Sequence, residues 1–277
     1  MKELPIRKKV GWYIVIGIFL IFTLFPIYWM FVTSLKSFQE TYSVNPTFWP
    51  EKMKWSNYGD IFTKYNYGSA LVNSVRVSLI VSVVSVGVSI FAAYSVVRLR
   101  FLGRKMMPRV FLMSYLIPRT ILFIPIFIFL ANLGLTNSIG GLLLVYPTIT
   151  IPYATWVLIA SFQQLPVELE ESARVDGANR LQTIIRIVIP PSMPAIISTF
   201  IFAFTLCWSE YIYALVIINS KMERTITLAL STMLVADIIP WGPLMAGAVI
   251  AALPIMLVYL LGSRFIVSGL TLGSVKG

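Results

Sequence analysis

The chain is 277 residues long, 58% of them apolar and 12% charged, with a mean hydropathy of +0.84; that balance excludes an ordinary water-soluble domain and makes lipid part of the solvent. With no histidine and one cysteine, Cys207, it excludes an intrachain disulfide or thiolate cluster and lacks the commonest metal ligand and proton switch; no catalytic, cofactor-binding or metal site is assigned. The net charge of +11 sits in clusters beside apolar runs, where it orients a membrane chain rather than holding nucleic acid.

A hydrocarbon core of about 30 Å takes about 20 helical residues. Six spans meet that length, over 10–35, 72–97, 106–131, 139–162, 190–218 and 240–263, in a single all-α membrane domain over 1–277 without an internal repeat. The first, Val10 to Leu35, carries no charge and follows Lys2, Arg7, Lys8 and Lys9. A cleaved leader would have an apolar core of about 7 to 15 residues ending at a small-residue site, and no Ala-x-Ala pattern occurs here, so this segment is expected to stay as a span. The segment from Lys36 to Ser69 carries Trp49-Pro50, Trp55, Tyr58, Tyr65 and Tyr67; such rings sit at headgroup level or touch a soluble partner. In the second span Ser78, Ser82, Ser85, Ser89 and Ala92 recur at alternating spacings of four and three, a small-residue seam that lets another helix approach closely. The third and fourth spans are joined through Asn132 to Asn137. Pro26, Pro118, Pro125, Pro147, Pro152 and Pro254 each remove a backbone donor and are expected to kink or interrupt their helices.

Basic residues divide unequally between the two faces that six spans define. One face takes Lys2, Arg7, Lys8, Lys9, Arg98, Arg100, Arg104, Lys105, Arg109, Arg174, Arg180, Arg186, Arg264 and Lys276; the other takes Lys36, Lys52, Lys54, Lys64, Arg76, Lys221 and Arg224. The richer face is the cytoplasmic one by the positive-inside rule, which puts both termini, and the segment between the fourth and fifth spans, inside.

That segment, 165–190, is a charged island between apolar spans. Pro166 suits the first position of a helix, and Glu168, Glu170 and Glu171 complement the positive end of its dipole, so a helix is predicted from about Pro166 to Val175. Asp176-Gly177 permits a sharp turn. A second, amphipathic helix then carries Leu181, Ile184, Ile185 and Val188 toward Pro190-Pro191. Two short helices meeting at a glycine elbow are the expected result.

Here the sequence resembles the permease subunits of binding-protein-dependent ABC importers. Their pattern is Glu-Ala-Ala, three residues, Gly, nine residues, Ile, one residue, Leu-Pro; Glu171, Ala173, Gly177, Ile187 and Pro190 match it, with Asp176 before the glycine, while Ser172 and Ile189 depart mildly. The ending Gly269-Leu270-Thr271-Leu272-Gly273-Ser274-Val275-Lys276-Gly277 is similar to the tail of maltose-type sugar permeases, and Asn73-Ser74 and Trp208-Ser209-Glu210-Tyr211 also look like that group. The resemblance implies a cytoplasmic hairpin seated on an ATP-binding subunit through Glu171, Ala173, Asp176, Gly177, Ile187 and Pro190. It also implies a tail contacting that subunit through Gly269, Gly273 and Lys276. Implied partners are a homodimer of the ATP-binding subunit, a second homologous permease and an extracytoplasmic solute-binding protein. The implied setting is a bacterial inner membrane, and the implied work is alternating-access uptake of a di- or oligosaccharide, or a related polyol or sugar phosphate, with no covalent chemistry in this chain. No Gly-x-x-x-x-Gly-Lys-Ser/Thr loop occurs, in keeping with ATP hydrolysis elsewhere.

Ionisable groups inside spans are costly and therefore informative. Arg119 in the third span and Glu210 in the fifth fall in the same half of the membrane and are placed to pair with each other or to meet a solute. Trp208 and Tyr211 add rings beside Glu210, so Trp208, Glu210, Tyr211 and Arg119 form the candidate substrate path. Rival readings are an ion-gradient-driven carrier or channel, against which stands the lack of repeated halves and of several midplane carboxylates, and a membrane scaffold for a soluble enzyme.

Overall fold

The computed structural model describes the backbone of residues 6–234 and 238–272, with side chains over 11–234, 238–263 and at Phe265. No strand occurs among the described residues. Five helical stretches are long and apolar enough to cross a membrane: Gly11–Ser34, Tyr67–Arg98, Ile139–Gln163, Arg180–Trp208 and Trp241–Ser263. A bent pair, Met107–Leu116 and Arg119–Asn132, makes a sixth if it is one span. The chain gathers into two compact units, one of Met1–Tyr67 with Leu230–Leu253, the other of Gly68–Ala229 with Pro254–Gly277.

In the first unit, α1 (Ile6–Ser34) is apolar on every side from Gly11 onward, as a helix facing lipid is. The segment after it is not loose. Short α2 (Phe38–Thr41) and α3 (Ser56–Tyr65) are stapled to the end of α1: Asn57, almost wholly buried, donates from Nδ2 to the Ser34 and Lys36 carbonyls at 2.8 and 3.0 Å. Glu40 Oε1 accepts from Thr47 Oγ1 at 2.5 Å and from the Glu51 amide at 3.1 Å. Lys36 donates to the Thr47 carbonyl while its ammonium lies 4.5 Å from the Trp29 ring centroid. Of the aromatic residues expected at the headgroups, Trp49 and Trp55 are exposed, whereas Tyr67 is buried and donates to the Gly247 carbonyl at 2.6 Å. Gly247 is there because Ile61 and Leu230 occupy the space a side chain would need.

In the second unit, α4 (Tyr67–Arg98) is a 32-residue helix without a proline. Ser78, Ser82, Ser85 and Ser89 are fully buried, as the seam predicts; its next step falls on Ala93, also fully buried, rather than on the half-buried Ala92. The seam faces α8 (Pro147–Gln163). Ser85 and Thr150 share a hydroxyl hydrogen bond of 2.6 Å, Thr155 Oγ1 donates to Ser89 Oγ at 3.0 Å, and Ser89 Oγ donates to the Ile151 carbonyl at 3.3 Å. The third span is broken rather than straight. α5 (Met107–Leu116) and α6 (Arg119–Asn132) turn by 91° about Ile117-Pro118, where Ile117 is extended (φ −63°, ψ 125°) as a residue before proline prefers. Short α7 (Ile139–Val145) leads into α8. α8 packs on α5 and on α11 (Ile189–Trp208).

The fifth span also departs from the expected 190–218. Helix α11 ends at Trp208, the chain breaks over Ser209 to Tyr211, and α12 (Ile212–Ile217) begins anew. α13 (Ile226–Met233) and α14 (Trp241–Leu272) complete the fold, α14 running through Pro254.

Candidate functional site

The hairpin between the fourth and fifth spans is built by local backbone chemistry. Helix α9 covers Glu168–Val175, two residues shorter at its start than predicted, with three glutamates in its first turn. It ends in a Schellman motif: the Ala178 amide donates to the Ala173 carbonyl at 2.9 Å and the Gly177 amide to the Arg174 carbonyl at 3.1 Å. Gly177 sits at φ +86°, a left-handed conformation that costs any side chain free energy. Helix α10 (Arg180–Thr183) starts on a capping box, in which Asn179 Oδ1 accepts from the Gln182 amide and Gln182 Oε1 from the Asn179 amide, both at 2.9 Å. A π-turn over Ile184–Val188 then joins it to α11, with the Ile189 amide reaching back five residues to the Ile184 carbonyl. The expected pair of helices at a glycine elbow is present, and its second arm continues into the membrane span.

One face of this hairpin is inward. Thr183 is buried, and Ile184 and Val188 share a buried core with Ala93, Tyr94, Val97, Leu158 and Phe162. Leu181 and Ile185, expected on that same apolar face, are instead 54% and 52% exposed, the packed face being the narrower one of Thr183, Ile184 and Val188. The outward side carries Glu168, Leu169, Glu171, Arg174 and Asp176, with Val175 88% exposed beside the elbow. A cleft of about 380 Å³ opens there, lined by Ala173, Asp176, Gly177, Gln182, Arg186 and Ile187, among others. Four of the six motif residues therefore meet in one recess. Glu171 stands exposed on α9 outside it, and Pro190 is exposed at the start of α11.

Sequence reasoning missed the residues that fasten the hairpin. Glu170, grouped above with its neighbours as a dipole partner, is 1% exposed. Its Oε1 accepts from Arg98 Nε at 2.5 Å, and its Oε2 from the Tyr94 hydroxyl at 3.0 Å. Arg98 also donates through Nη2 to the Leu165 carbonyl at 2.9 Å. The sequence marks Arg98 only as one of the basic residues that set orientation and gives Tyr94 no distinguishing mark. The available signal was helical spacing: Glu170 lies one turn before the buried motif residue Ala173, while Glu171 is rotated by about 100°.

The candidate path residues occupy the break between α11 and α12. Glu210 is 3% exposed and fully engaged: Oε1 accepts from the Tyr213 amide at 3.0 Å, Oε2 from the Ala214 amide at 3.2 Å and from the Tyr146 hydroxyl at 3.0 Å. Its carboxylate thus satisfies the first amides of α12, which explains why the helix restarts there. Trp208 is 3% exposed and stacks on Phe204 at 5.7 Å, whereas Tyr211 is 37% exposed. Arg119 opens α6, half-buried. It forms no ion pair with Glu210: among the described residues the ion pairs are Lys64–Asp60 and Arg98–Glu170. In the tail, Gly269 lies within the backbone of α14, while Gly273 and Lys276 fall outside the described residues.

Comparison with known proteins bears on the family and the fold. The family described as "binding-protein-dependent transport system inner membrane component" matches residues 85–270. An inner membrane ABC transporter permease protein of Escherichia coli is 36% identical, over 98% of this chain and 97% of its own length. The trehalose/maltose transport system permease protein of Thermococcus litoralis is 34% identical over 93% of both chains, and the trehalose transport system permease protein of Mycobacterium tuberculosis 31% identical over 98% of this chain and 99% of its own. A chain in the crystal structure of a bacterial ABC transporter that imports the acidic polysaccharide alginate superposes with a TM-score of 0.79 at 20% identity, covering 95% of this chain and 99% of that one; at that identity the likeness is one of fold.

Proposed function

The chain belongs to the family of inner-membrane components of binding-protein-dependent transport systems, and from that premise we propose that it is the permease subunit of an ATP-driven sugar importer. The observation that carries the proposal is the hairpin. An exposed elbow at Gly177, a recess formed by Ala173, Asp176, Gly177 and Ile187, and a free apolar side chain at Val175 offer a docking surface, while the opposite face is packed into the spans. A soluble subunit that closes on ATP would pull on this surface, and the spans would follow. The ATP-binding subunit acts as a homodimer and a second homologous permease completes the pore. An extracytoplasmic binding protein delivers the solute, and Gly269, Gly273 and Lys276 reach the ATP-binding subunits. The distribution of basic residues supports a multi-pass chain in the bacterial inner membrane with both termini in the cytoplasm.

Sugars of the disaccharide or oligosaccharide class are the substrate that the relatives support, through the names trehalose/maltose, trehalose and diacetylchitobiose. Within the candidate path, Tyr211 and Arg119 have the exposure to meet a solute, and Glu210 and Trp208 hold the break behind them. No observation favours an ion-gradient carrier. The test is uptake into proteoliposomes holding this chain, its partner permease, the ATP-binding subunit and the binding protein. Uptake is expected only with ATP inside the cytoplasmic face, and Val175→Cys is expected to crosslink to a cysteine placed on the ATP-binding subunit. Uptake driven by an ion gradient without ATP, or no crosslink in an active complex, overturns the proposal.

A further inference from the structure

We propose that Glu170, Arg98 and Tyr94 form the joint through which the hairpin moves the membrane helices, with α4 as the rod that receives the motion. This rests on the reading of the hairpin as a docking element. Arg98 and Tyr94 are one turn apart on α4 and fill both oxygens of the Glu170 carboxylate, at 2.5 and 3.0 Å. The same guanidinium holds the Leu165 carbonyl at 2.9 Å. The last turn of α4 therefore grips the hairpin at two places, before α9 and within it.

The covalent routes out of the hairpin are soft by comparison. Toward α8 the chain passes through Gln164 to Val167, outside any helix. Toward α11 it passes through the π-turn and then Pro190, Pro191 and Pro194. Proline and π-turns are the places where helices bend. Among the helical segments long and apolar enough to span, α4 is the one without a proline; as a 32-residue helix it is about 48 Å long at about 1.5 Å per residue. A stiff helix with a grip at one end transmits displacement. The hydroxyl seam from Ser85 and Ser89 to Thr150, Ile151 and Thr155 makes α8 travel with it.

Stability alone does not call for a charged joint. An apolar contact of equal volume anchors a helix as well or better, because both ions of a buried pair lose their hydration. What the pair adds is direction. A planar guanidinium bonded to a carboxylate and to a backbone carbonyl fixes the angle between hairpin and rod.

The experiment compares solute moved per ATP hydrolysed in the reconstituted importer, with Val175→Cys crosslinking measured alongside. Glu170→Gln and Arg98→Lys are expected to lower the ratio by about tenfold or more while the crosslink to the ATP-binding subunit still forms. The exchanged pair Arg98→Glu with Glu170→Arg is expected to recover part of it. Should the single variants fail to assemble, the apolar pair Arg98→Met with Glu170→Met, which relieves both buried charges, takes their place and is expected to assemble with the same loss. An unchanged ratio in either assembled single variant, or in the Met pair that replaces them, overturns the joint. A missing crosslink in the active Val175→Cys importer with Glu170 and Arg98 intact overturns the docking reading instead.

Discussion

Glu170 and Glu171 are chemically identical neighbours with opposite surroundings. They follow one another on α9, and a rotation of about 100° puts Glu170 against Arg98 and Tyr94 and leaves Glu171 facing out. The motif picks out Glu171, and that choice agrees with its exposure, but motif spacing carries no trace of the partner 72 positions away in sequence. The two residues should part under mutation. Glu170→Ala strands a buried guanidinium and is expected to lower stability by about 3–5 kcal/mol, whereas Glu171→Ala should stay within about 0.5 kcal/mol. Denaturation of the purified protein in detergent measures both, and equal losses would mean that burial does not distinguish them. Glu210 shows the same limit from another side. An acid inside a span reads as functional, and it is the three donors around it, Tyr146, Tyr213 and Ala214, that reveal a helix restart.

The elements whose form depends on nearby residues were the legible ones. Gly177 after Asp176 predicts a left-handed turn, and the Schellman bonds and a φ of +86° follow; serines at alternating spacings predict a buried seam, and it packs on α8. Alanine at the elbow is expected to cost about 1–2 kcal/mol in left-handed strain, and asparagine less, because its short polar side chain tolerates that conformation. Hydrogen exchange at the Gly177 and Ala178 amides should accelerate in the order glycine, asparagine, alanine; equal protection in all three would count against a strained elbow. Less legible were the sharp turn at Ile117-Pro118 and the π-turn. Proline announces that a donor is missing, yet the angle of a bend and the place where extra carbonyls are satisfied depend on what packs around them.

For the molecule as a whole, the six expected spans became five helices long and apolar enough to cross a membrane and a bent pair. The charge asymmetry adds a prediction about sidedness. In intact cells an impermeant thiol reagent should label Trp49→Cys from outside and should reach Val175→Cys only after permeabilisation. The native Cys207, 4% exposed, should stay silent in both. Labelling of Val175→Cys in intact cells would invert the topology and remove the hairpin from any cytoplasmic ATP-binding subunit.

Hydropathy, proline, glycine and motif spacing settled the class, the approximate spans and the elbow, since each reports a local preference of backbone or solvent that a short window of residues contains. The joint of Glu170 with Arg98 and Tyr94, the capping of α12 by Glu210, and the exposure of Leu181 and Ile185 were decided only when helices distant in sequence came together. Burial and hydrogen-bond partnership belong to pairs of elements, and the low-dielectric contact that makes a buried charge matter exists only after they have packed.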